Sequence, residues 1–130
     1  MHKPLTAALL SLTLAAPALA DGGVTVALPD PGSVARVADE AFLHQLVLAN
    51  VVGMNCDGFR LTDGEWALIT GTADLVAAAL KLDTAAYDSG FYGPAFDALD
   101  RPETCATEGP KIAPLIERLK AMGGGTTPIG

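Results

Sequence analysis

The sequence predicts an all-α domain, a compact bundle of four to five helices pinned by one disulfide. Three observations carry that expectation. Apolar residues recur at helical spacing through 34–54, 63–81 and 111–122. A helix-start signature, Leu61-Thr62-Asp63-Gly64-Glu65-Trp66, separates the first two stretches. The chain also holds two cysteines, Cys56 and Cys105, behind an N-terminus that reads as an export signal.

That N-terminus comprises residues 1–20. His2 and Lys3 form a short positive region, Leu5 to Leu14 an apolar one, and Ala18-Leu19-Ala20 a cleavage site of small residues. The apolar run is short for a bilayer span. The expectation is therefore a periplasmic or secreted protein of about 110 residues with no membrane span after cleavage. Cleavage removes one lysine and leaves seven basic side chains against fifteen acidic ones. Such a balance disfavours nucleic acid and anionic membrane surfaces as partners. In an exported chain the two cysteines are most simply paired, closing a loop of about fifty residues.

Residues 21–32 follow. Val24 to Leu28 lies between glycine and proline breakers, with no second strand evident to pair with, and reads as an extended arm. Ser33 is the expected cap of a long first helix reaching Met54, whose apolar positions widen until its second half is apolar almost all round. Arg36, Asp39 and Glu40 mark the wetter half.

Thr62 and Glu65 form a capping box for the second helix, to about Lys81, with Leu61 placed to staple onto Trp66. Gly71 interrupts it and predicts a close contact or a break. Asp83 is the expected cap of the third. Because proline disfavours helix at the residue before it, this helix is expected in two pieces, Thr84 to Tyr92 and Pro94 to Leu99. Residues 100–109 read as a polar loop carrying Cys105. A last helix runs from about Lys111 to Met122, and residues 123–130 read as a disordered tail.

The sequence carries no catalytic, metal or cofactor motif. His44 is the one imidazole left after cleavage and lies mid-helix, without a nucleophile nearby. Asp63 with Glu65 and Asp97 with Asp100 are the carboxylate pairs, read as a helix cap and a solvated helix end. Asn55-Cys56-Asp57-Gly58 and Thr62-Asp63-Gly64-Glu65 lack the ligand spacing of a calcium loop. Gly123 to Gly125 follows a helix and so offers no free amides to a phosphate. Met54 and Met122 read as core fillers.

The expected function is that of an exported, non-enzymatic module binding a protein partner, whether inhibitor-like, immunity-like or chaperone-like. The alternative is a carrier or enzyme with an apolar groove between helices. The candidate contact residues are Tyr87, Phe91, Tyr92 and Phe96, clustered where Gly90, Gly93 and Pro94 weaken the helix. On an α-helix Tyr87 and Phe91 share a face while Tyr92 lies about a hundred degrees round from Phe91, which leaves it partly exposed in the contact reading; the competing reading is that all four rings fill the core.

In layout, Asn55 to Met122 resembles the Hde-type acid-stress chaperones of the bacterial periplasm: short, acidic, helical, with one disulfide across the middle. The letters that carry the resemblance are Cys56-Asp57-Gly58-Phe59, with Cys105 ahead of the last helix. Lysine-rich termini, typical of those chaperones, are absent. The resemblance implies loosening and client protection in acid, as the net charge reverses through about pH 4. The alanine-rich, acidic style is equally similar to uncharacterised two-cysteine periplasmic proteins of alphaproteobacteria.

Overall fold

The structure, a computed structural model, describes residues 23–130. The expected signal segment therefore lies outside the described residues. Five helical runs form one bundle, and a single disulfide links the second run to the fifth.

The first long helix of the sequence reading is in fact two. Asp30 caps α1 (Pro31–Val37), accepting the amide of Ser33, so Ser33 is the third helical residue and not the cap. Ala38 then turns extended, and Asp39 re-caps the chain at α2 (Glu40–Asn55) with a 2.7 Å bond from the amide of Phe42. Aspartate competes well as a cap because its carboxylate accepts an otherwise orphaned helical amide. The expected apolar stripe of α2 is buried, with Phe42, Leu43, Leu46, Val47, Val51 and Val52 all in the core, while Glu40, His44 and Gln45 leave its first half wetter. Met54, expected in the core, is 49% exposed at the end of this helix.

The link to α3 (Asp63–Ala79) turns at Gly58, whose φ of +88° suits glycine. Leu61 lies directly on Gly53 of α2, leaving no room there for a Cβ. The capping box forms as expected, with Thr62 and Glu65 each accepting the other's amide. Gly71 does not break α3. It admits Leu28 of the arm, and a Cβ there would stand 2.6 Å from that side chain.

The next run is continuous where the sequence suggested two pieces. It passes from α4 (Thr84–Tyr87) through one π turn (Asp88–Tyr92) into α5 (Gly93–Ala98). Gly93 stays helical before Pro94, at φ −55° and ψ −55°. The steric rule against helix before proline acts largely through the Cβ that glycine lacks. The amide of Gly93 donates to Asp88, five residues back. The fifth run repeats the device: α6 (Thr104–Glu108), a 3-10 turn (Gly109–Lys111) and α7 (Ile112–Ala121) follow without interruption. Gly109 precedes Pro110, is helical, and is covered by the ring of Phe59. The segment read as a polar loop is thus half helix.

The segment read as a disordered tail is the pairing partner the arm lacked. Gly125 donates to Ala27 at 2.9 Å and Ile129 to Thr25 at 2.8 Å, so tail and arm lie side by side in opposite directions. The backbone of Thr126 sits tightly on Gly64, at the first turn of α3.

Cys56, buried at the end of α2, bonds to Cys105 on α6, with 5.6 Å between the Cα atoms and 49 residues of separation. Restricting the unfolded chain by such a closure stabilises the fold by about 4 kcal/mol. Replacing both cysteines by alanine is expected to lower the unfolding free energy in urea by about that amount, and the unreduced parent should show no free thiol. A double variant as stable as the parent would contradict this role.

Candidate protein-binding face

The four aromatic candidates all lie on the α4–α5 run, and the π turn decides how they are shared out. In an α-helix, residues five apart diverge by about 140 degrees. The wider π turn brings such residues back toward one another. Accordingly the rings of Tyr87 and Tyr92 are 5.3 Å apart, closer than Tyr87 and Phe91 at 6.5 Å. Phe96 continues the row, 6.5 Å beyond Tyr92. The expected pairing is therefore replaced: Tyr87, Tyr92 and Phe96 form the row, and Phe91 leaves it.

Phe91 is a core residue, 6% exposed, with the imidazole of His44 stacked 4.3 Å from its ring. So little of its ring reaches the surface that its main role is packing, not contact. His44 itself is exposed on α2 and closes one wall of a dimple of about 140 Å³.

The two tyrosines are half-buried and held at their hydroxyls. Tyr87 donates to Asp74 of α3 at 3.1 Å, and Tyr92 accepts from the side-chain amide of Asn50 on α2 at 3.1 Å. Burial, then the neighbouring Tyr92 and Asp74, pushes the Tyr87 phenol well above the ordinary tyrosine range. Phe96, by contrast, is 53% exposed. Tilted rings packed 5.3 and 6.5 Å apart, the first two held at their hydroxyls and the last facing solvent, form an aromatic ledge.

Of the other candidates, Glu65 is occupied by the cap of α3, while Asp97 and Asp100 stand exposed at the end of α5. Among the described residues no three His, Cys, Asp or Glu side chains gather to hold a metal ion. No described helix is long and apolar enough to cross a membrane. An apolar hollow of about 240 Å³ opens between Phe59 and Leu61 on one side and Ile112 and Ile116 on the other. Its volume falls below the roughly 300–1,000 Å³ of ordinary small-molecule sites. The carrier reading expects a groove lined by Tyr87, Phe91 and Met54, and none of the three lines this hollow. Sequence reasoning missed Asn50 and Asp74, for which a polar residue on an otherwise apolar helix face was the available signal.

The raised Tyr87 phenol carries a prediction. The folded state keeps this proton where the unfolded chain, with its ordinary pKa of about 10, gives it up. The stabilisation is fully present below about pH 10 and is lost as pH rises beyond it. Tyr87→Phe should flatten the alkaline limb of a stability–pH profile. An unchanged limb would contradict the assignment.

No protein-family model, no curated protein and no solved structure matches this chain, so the row of rings stands on its own geometry.

Proposed function

We propose that the protein is an exported, non-enzymatic binding module that engages a protein partner through the ledge of Tyr87, Tyr92 and Phe96. The observation that carries this reading is Phe96: a large ring left in solvent at the end of a row whose other members are fixed. Contact residues of this kind lose little conformational freedom on binding, because neighbouring packing has already ordered them. Aromatic rings also supply much of the energy at protein interfaces. The disulfide fits an oxidising compartment. The module is chaperone-like if the partner is an unfolding client met in acid, and inhibitor-like or immunity-like if it is one folded protein met at neutral pH.

Tyr92 is a poor probe of this reading, since its hydroxyl bond and core packing make Tyr92→Ala destabilising in either case. Phe96→Ala is the cleaner substitution. It should leave unfolding stability within about 1 kcal/mol of the parent. It should also abolish retention of the partner recovered from a periplasmic extract on the parent protein. Running the capture at about pH 7 and about pH 3 separates the two modes. Undiminished retention by Phe96→Ala would contradict the site.

A further inference from the structure

The charges around the ledge narrow the partner's chemistry. Between Lys81 and Arg101 the chain has no basic residue and no histidine, while it has Asp83, Asp88, Asp97 and Asp100. Asp88 stands one turn before Tyr92, Asp97 follows Phe96 in the chain, and Asp74 holds the hydroxyl of Tyr87 from α3. Asp88 and Asp97 are exposed. The ion pairs among the described residues are Asp57–Arg60, Glu108–Lys111 and Glu117–Lys120, so the fold has not spent either carboxylate internally. An exposed ring next to a half-buried one, on a run whose carboxylates are free, favours a cation that carries apolar groups. The positive head meets the carboxylates and the ring faces, and the apolar groups cover the ring edges. The molecule shows the ring half of this arrangement elsewhere, where the guanidinium of Arg118 stands 4.3 Å over the ring of Phe42.

We infer that the partner presents a basic, amphipathic protein segment, its lysine or arginine side chains lying across Tyr92 and Phe96 and pairing with Asp88 and Asp97. This rests on the proposed binding role of the ledge and adds the sign of the partner's charge. Charge complementarity of this kind selects partners and raises the association rate more than it adds raw affinity. An acidic segment is excluded by like-charge repulsion, and nucleic acid by the same field.

A synthetic helix-forming peptide of leucine and lysine tests this against its counterpart with glutamate for lysine, by following the ring protons of the purified protein. The lysine peptide should shift the resonances of Phe96 and Tyr92, and the glutamate peptide should not. Neutralising both carboxylates, Asp88→Asn with Asp97→Asn, should weaken binding about fivefold to tenfold without loss of stability, since both side chains are exposed. Raising salt from about 0.05 M to about 0.5 M should weaken the parent complex by more than the variant complex. Equal binding of the two peptides, shifts confined to the hollow beside Phe59, or an unaltered affinity of the double variant would overturn the inference. Tetramethylammonium binding at the rings without peptide binding would also overturn it, pointing to a small cation instead. If neither peptide binds while Phe96→Ala still abolishes capture, the charge inference fails and the ledge remains a binding face. If Phe96→Ala leaves capture intact as well, both fail.

Discussion

Most of this bundle answers to α2, a helix whose second half carries apolar side chains on nearly every face. Such a helix has to be covered all round, because each exposed face would leave several large side chains in water. Four separate elements do the covering: α3, the α4–α5 run, α6 and α7 all pack on it. The disulfide then ties its end to α6, so α3 and the α4–α5 run lie within one closed loop of the unfolded chain. Three glycines let the covers come close enough. Gly53 receives Leu61, Gly109 receives Phe59, and Gly71 of α3 receives Leu28 from the arm outside it.

Covering α2 also sorts the aromatic residues. Phe91 is drawn inward to seal the face around His44, and the π turn is what lets it do so while Tyr87 and Tyr92 stay neighbours. The tyrosines reach halfway in, and their hydroxyls end on Asp74 and Asn50, where an unpaired polar group would be costly. Phe96 falls beyond the reach of the core. The ledge is thus a by-product of how the run must turn to cover the central helix. Its rigidity comes from the same contacts, which is why a binding role and a packing role share these residues.

What the sequence made legible was governed by short-range signals. Thr62 and Glu65, and the apolar stripe of α2, each point to one structure, and each forms. Gly93-Pro94 read as a break and Gly109 as the end of a polar loop, yet both glycines are helical before their prolines, because the clash behind the rule needs a Cβ. A π turn before Pro94 and a 3-10 turn at Pro110 absorb the missing amide. Asp39 was invisible as a cap because the apolar period runs through it. The tail was invisible as structure because its pairing with the arm joins residues a hundred positions apart, and its composition carries no strand pattern. At the ledge the four ring positions were legible, but their division into three and one was not, since it depends on a turn type that few sequence signals mark.

The central claim is that the same helical run buries Phe91 and leaves Phe96 in solvent, and it can be read directly. A soluble paramagnetic gadolinium chelate added to the protein relaxes protons at the surface and spares those of the core. The account predicts strong broadening of the Phe96 ring resonances, weaker broadening for Tyr87 and Tyr92, and none for Phe91. Equal protection of Phe96 and Phe91, or broadening of Phe91, would contradict it.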